Sequence, residues 1–557
     1  MLAPWILVDM YTDAVGSPAL FTRRCRKGGS KLRLILKLAA LTAASAAAAC
    51  GARSDRLTDD ARGVPAADSS IYQSHESSQW WAPGDGRSLL PFAAFENPFG
   101  KSGVVHRGGP LDTRGHPFFE PLGENGRGCV TCHQPADAMS LSSRSIKERW
   151  EATSGKDPLF AAIDGSNCPN LPQGEPASHS LLLERGLFRI ALPWPPRTLA
   201  GEPIEPEFSI EVVSDPTGCN TDPIYGLKSS SPSISVYRRP RMAANLAYVT
   251  APPFQQFNIK SGMPMLMDPD TGKRSSMQLM ADSRHLNLQR QALEAGATHM
   301  QRQRPFTSQE LQQLVDFEMN VFAAQSSDRL AGDFSVPGMP AALGPEAMLR
   351  HAPKPGASTE NGFTYQQRLF FDFSDWATRA GYGPDARPED EFRASVARGY
   401  DIFFLKSFLL TDMVGVNDVG LGNPYRSTCA FCHNTVLTGQ DRVPGFMDIG
   451  TANLPAAEKM PDLPVFKLEC KSTALPHPYL GRTILTHDPG RALVTGRCSE
   501  IGSLTMQQLR GMAAREPFFS NGSASTIRAL IDFYDRRFSI GYTEQEKRDL
   551  ENFLRVL

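Results

Sequence analysis

The sequence predicts a mainly α-helical fold: two domains of one type in tandem, the first carrying a small β-rich insertion. Three observations predict it. A five-residue stretch occurs twice, as Cys129-Val-Thr-Cys132-His133 and as Cys429-Ala-Phe-Cys432-His433. A second segment follows each copy: Phe306-Thr307-Ser308-Gln309-Glu310 with Leu314 and Phe317, then Tyr542-Thr543-Glu544-Gln545-Glu546 with Leu550 and Phe553. In the first half alone, Leu187–Leu192, Glu207–Val213 and Ser233–Tyr237 are short alternating or β-branched runs between Pro- and Gly-rich turns, the pattern of strands.

Cys-x-x-Cys-His is the attachment signature of c-type haem. Two thiols one helical turn apart form thioethers with the haem vinyl groups, and the histidine that follows ligates the iron. A zinc module would place its two knuckles a few tens of residues apart, and a redox dithiol would sit in a βαβ setting that neither copy has. The sequence therefore predicts two cytochrome c-type domains with two covalent haems, held by Cys129, Cys132 and His133 and by Cys429, Cys432 and His433. His133 and His433 are the iron ligands.

The closing segments of the two domains have their own logic. Thr307 with Glu310, and Thr543 with Glu546, are capping boxes that start helices. Leu311, Val315, Met319 and Phe322 follow in one copy, and Leu550, Phe553, Leu554 and Leu557 in the other, as single-face stripes.

Taken in order, residues 1–50 read as an export signal. Arg23, Arg24, Arg26, Lys27, Lys31 and Arg33 precede an apolar, alanine-rich stretch from Leu34 to Ala49. Ala47-Ala48-Ala49-Cys50-Gly51 resembles a lipoprotein box in which Cys50 would be lipidated; simple cleavage is the alternative. Residues 51–90 are a polar tether. The first domain spans 91–330, with the insertion at about 140–237. A proline-rich linker covers 331–390 and the second domain 391–557, opening on a helix that includes Ala397, Gly399, Ile402 and Phe403. These features predict a periplasmic or cell-envelope protein. Four cysteines remain, Cys168, Cys219, Cys470 and Cys498, two in each half; local disulfides 168–219 and 470–498 are one of three pairings they allow. The net charge of −1 offers nothing to a nucleic acid.

At this point the chain resembles the bacterial di-haem cytochrome c peroxidase superfamily, which includes a tryptophylquinone maturase and, more distantly, di-haem rubber oxygenases. The run Leu509-Arg510-Gly511 through Arg515-Glu516-Pro517-Phe518-Phe519-Ser520-Asn521-Gly522, with Asp532-Phe533-Tyr534 after it, is similar to that family's loop beside the second haem. Met280-Ala281-Asp282-Ser283-Arg284, Leu288 and Gln291-Ala292 resemble its Trp-Asp-Gly-Arg segment and the helix that follows.

The resemblance implies peroxide reduction at the His133 haem, with electrons relayed through the His433 haem from a small donor such as a cytochrome or cupredoxin. It also implies a calcium ion between the domains, for which no ligand cluster in the sequence argues independently. Tyr534 falls at the relay haem's other axial position, with Met447, Met506 and Met512 as competitors. Ala281 replaces the family's bridging tryptophan, Gln301 stands where its acid/base glutamate is expected, and Ser520 stands where relatives often carry histidine. His299 is the nearby residue of proton-carrying type. Arg238, Arg239 and Arg241 are candidate partners for haem propionates. Oxygen activation and plain electron transfer are the rival activities.

Overall fold

The computed structural model describes residues 79–252, 266–354, 370, 373–378, 387–441 and 445–557. The expected export signal, Cys50 and most of the expected tether lie outside the described residues. The mainly α-helical pair of cytochrome c-type domains does not form. The described residues are 30% helix and 18% strand, with several antiparallel sheets.

The departure begins before the first motif. Phe92–Asn97 (β1) and Gly100–His106 (β2) form a hairpin around Pro98-Phe99. Asn97 sets that turn, its side-chain carbonyl accepting from the Phe99 and Gly100 amides at 3.0 Å. Helices follow at Ser143–Thr153 (α1), Leu288–Thr298 (α2) and Ser308–Asn320 (α3). The last ends one residue before Val321–Asp328 (β3), which pairs antiparallel with β2. Phe322, expected on the helical stripe, is therefore a strand residue. A β-strand at this point lets Val321, Phe322, Ala323 and Ala324 all be buried between the sheet's two faces. Gly100 permits the pairing: a Cβ there would lie 2.3 Å from the Ser327 carbonyl.

The insertion does form strands. Phe188–Pro193 pairs with Ser233–Arg238. Phe208–Ser214, however, pairs with Val465–Cys470 of the second half, which in turn pairs with Thr483–Thr486. The insertion is thus no private decoration of the first half. Phe208, Ile234 and Val236 share one core with Phe466, Leu468 and Ile484. Two disulfides flank this sheet, Cys168–Cys219 and Cys470–Cys498, with Cα separations of 5.3 and 5.8 Å.

In the second half Pro388–Leu405 (α4) crosses Glu544–Arg555 (α6), and Ile527–Phe538 (α5) packs beside them. Phe553 is fully buried at the crossing among Phe403, Tyr400, Phe370 and Phe373. Phe370, Phe373 and Trp376 belong to the stretch 331–390, and all three are buried in this core. Both capping boxes form. Thr307 Oγ1 accepts from the Glu310 amide at 3.1 Å while Glu310 accepts from the Thr307 amide at 2.8 Å; Thr543 and Glu546 repeat the pair at 3.2 and 2.8 Å. Among the described residues no helix is long and apolar enough to cross a membrane.

Candidate functional site

Each Cys-x-x-Cys-His stretch forms one helical turn, Cys129–Thr131 and Cys429–Cys432. The loops after them repeat each other. His133 Nδ1 donates to the Met139 carbonyl at 3.3 Å, and His433 Nδ1 to the Gly439 carbonyl at 2.7 Å. A carbonyl only accepts, so Nδ1 carries the hydrogen. This is the tautomer whose Nε2 lone pair can ligate a metal. The acceptor lies six residues on in both copies. The Gln134 and Asn434 amides likewise donate to the carbonyls of Ser140 and Gln440, at 2.9 and 3.1 Å.

Each turn opens onto a hollow. The first spans about 1540 Å³ with its opening to solvent included; the second consists of two adjoining spaces, about 720 and 740 Å³ on the same measure, that share His433, Met506 and Tyr534. Their walls match in register: Phe306, Leu314 and Glu318 line the first where Tyr542, Leu550 and Leu554 line the second. Burial pushes the Cys132 thiol up to about 12 and the Cys429 thiol up to about 11. A redox dithiol needs the opposite shift, so neither turn is built as one. Burial also drives His133 down to about 4, keeping its imidazole neutral. Among the described residues no three His, Cys, Asp or Glu side chains gather as a site for a bare metal ion.

The first hollow is rich in buried cations. Arg239 is held by the carbonyls of Leu141 (2.5 Å) and Arg515 (2.9 Å), and Arg241 by those of Thr505 (2.7 Å) and Met506 (3.2 Å). Arg515 is held by the carbonyls of Gln508 (2.5 Å) and Arg510 (3.0 Å) and borders both hollows. None of the three makes an ion pair among the described residues, and Arg241 Nε has no partner. Burial pulls Arg239 and Arg241 down to about 9, with repulsion from Arg515 adding to it, and burial alone pulls Arg515 down to about 10. Uncompensated buried guanidinium groups are costly, and an anion in the hollow would relieve them. Arg238 differs from its neighbours. It pairs with Asp282 (2.5 Å) and bidentately with Asp488 (2.7 and 2.9 Å), which leaves it no free face for a propionate.

Helix α2 supplies another wall through Leu288, Gln291, Ala292 and Ala295, and His299 at its end lines the same hollow. His299 Nδ1 donates to Asp164 Oδ2 at 2.5 Å, and Asp164 is also paired with Arg127. Burial would raise the Asp164 carboxyl, but the Arg127 guanidinium and His299 bring it below the ordinary value, so it accepts as a carboxylate. That commits Nδ1 and leaves Nε2 for the hollow. Gln301, by contrast, is exposed and off the wall.

Ala281 borders the first hollow and is buried; Ser520 borders the second. Tyr534, Met447, Met506 and Met512 all border the second. Met447 and Met512 are packed into protein at 5% and 1% exposure, whereas Met506 and Tyr534 stay accessible and line both of its parts. Sequence reasoning missed Asp164, Arg515 as a cation of the hollow, and Glu318. Only Glu318 carried a signal: it is a charged residue on an apolar stripe, at the register where the repeat has Leu554. Comparison with protein families, with curated proteins and with solved structures finds no match.

Proposed function

We propose that this chain is an exported di-haem c-type oxidoreductase whose first centre meets peroxide or a related oxidant and whose second relays electrons to it. The observation that carries the reading is the repeated histidine geometry, Nδ1 pinned six residues downstream in two hollows of matching register. Cys129, Cys132 and His133 would hold one haem, and Cys429, Cys432 and His433 the other. The residues fit such a group: protonated thiols flank a neutral imidazole, the walls are largely apolar, and three unpaired guanidinium groups wait for anions such as propionates. Bound haem would supply one-electron chemistry at its iron.

What the protein adds differs between the sites. Around the first, Arg239, Arg241 and Arg515 fix anionic groups, and His299 presents Nε2 with its tautomer set by Asp164, so a proton can be held or given there. Around the second, Tyr534 and Met506 stand among leucines and isoleucines, and no Asp or Glu lines that hollow among the described residues. The two disulfides suit an oxidising compartment and so support export. The family resemblance points the same way for the division of labour.

The test begins with protein matured in a host that attaches c-type haem. Pyridine haemochrome analysis and intact mass are expected to give two covalent haems per chain, and one after Cys129→Ala with Cys132→Ala. Protein carrying none would overturn the reading. Stopped-flow mixing of half-reduced protein with hydrogen peroxide is then expected to give rapid two-electron oxidation and turnover with a reduced donor. An inert or bleached protein would reject peroxide reduction in favour of oxygen activation or plain electron transfer. Tyr534→Phe is expected to change the spectrum of the second haem and raise its potential, because a phenolate ligand favours the oxidised iron. An unchanged spectrum would show that Tyr534 does not ligate that haem.

A further inference from the structure

Glu318 breaks the register match between the walls of the two hollows. It lies on α3, which carries Leu314 and Phe317 into the core, and it lines the first hollow where the repeat places Leu554 in the second. Its side chain is 7% exposed, and Oε2 has no hydrogen-bond partner. A carboxyl left in that state is costly as an anion, and α3 could have used leucine there as its counterpart does.

The surroundings give Glu318 no counterion. Its displacement, up to about 8, has burial as its cause. Cys129 is the titratable group that feels it, and haem attachment would turn that thiol into a thioether. His106 and His116 flank the adjacent Phe317, and burial holds His116 down at about 4, uncharged. Across the hollow Arg239 and Arg241 are bound to backbone carbonyls and His299 to Asp164.

We propose that Glu318 is the proton acceptor coupled to reduction of the first centre. The inference rests on haem being bound at Cys129, Cys132 and His133. In a site of low dielectric, an electron added without a counter-charge is opposed strongly. When one electron enters from an external reductant, the Glu318 carboxylate takes one proton from water and becomes the neutral acid; on reoxidation it returns that proton. The net charge of the hollow is unchanged. The second hollow, with Leu554, has no such group, so its electron arrives without this proton.

The experiment is a mediated spectroelectrochemical titration, with dithionite as reductant, of the full matured protein and of Glu318→Gln and Glu318→Leu. It runs from about pH 6 to about pH 10, spanning the range of a buried carboxyl. Leucine is the residue the fold already accepts at this register, so Glu318→Leu guards against misfolding. In the parent, the first centre's midpoint potential is expected to fall with pH across part of this range, approaching one proton per electron. In both variants that segment disappears, while the second centre's profile stays as in the parent. Coincident profiles for parent and variants would overturn the inference. Protein with no haem at the first motif would overturn the proposed function itself, and this inference with it.

Discussion

Asp282→Ala is expected to lower the stability of the folded chain by about 3–5 kcal/mol, the cost of removing one partner from a buried ion pair. Asp282 is fully buried. It accepts from Arg238 at 2.5 Å and from Arg284 at 3.0 Å, and its backbone carbonyl accepts from Arg491 at 2.9 Å. Arg238 reaches on to Asp488 and Arg284 to Glu294, so one carboxylate joins the 280–284 segment, α2 and the second half of the chain. Removing it leaves two buried guanidinium groups short of charge. The pH dependence has a definite sign. Burial works against the Asp282 anion, but Arg284 and Arg238 hold its carboxyl well below the usual range. Its contribution is therefore complete above the unfolded aspartate value of about 3.9 and is lost as pH falls below it. Urea midpoints of parent and variant should lie far apart at neutral pH and draw together in acid. Equal midpoints at neutral pH would show that the network is dispensable.

That network was invisible in the sequence, for a physical reason. Arg238, Arg239 and Arg241 read as one basic run, yet Arg238 ends a strand and faces two carboxylates while its neighbours meet only carbonyls. Local pattern does not say which distant acid returns to which base. The strands divide in the same way. Phe208–Ser214 alternates visibly, but its pairing with Val465–Cys470 spans some 250 positions and leaves no local trace. The hairpin at 92–106 turns on Asn-Pro-Phe-Gly, but neither Phe92–Asn97 nor Gly100–His106 alternates apolar with polar residues, so its strands left little trace in the sequence. Phe322 sits at a spacing that suits a helix, and Val321–Asp328 follows α3 with no proline or glycine to mark the change. The most local features were the most readable. The two motifs and the two capping boxes each depend on a few residues and one local rule, whereas the cysteine pairing, one of three the sequence allows, was decided only by the fold.

Gly399→Ala tests whether the second hollow depends on the crossing of α4 and α6, and its sign alone decides. In an exposed helix interior the change would stabilise by about 1 kcal/mol, because alanine loses less backbone entropy than glycine. At this crossing it is expected to destabilise by about 3 kcal/mol, the upper end of ordinary overpacking. A Cβ at position 399 would lie 2.0 Å from the Asp549 carbonyl oxygen and 2.7 Å from Phe553 Cβ. The obstacle is backbone, which cannot rotate away. Asp549 is itself fixed, its carboxylate accepting from Ser395 at 2.5 Å and from Arg398 at 2.8 and 2.9 Å. The helices must therefore part. That displaces Phe553, and with it Phe403, whose ring centre lies 5.9 Å from that of His433. With haem bound as proposed, covalent haem at the second motif should fall well below one per chain while the first motif stays loaded, as counted by pyridine haemochrome analysis and mass. A stabilised variant with two haems would mean that the helices do not clamp the second site.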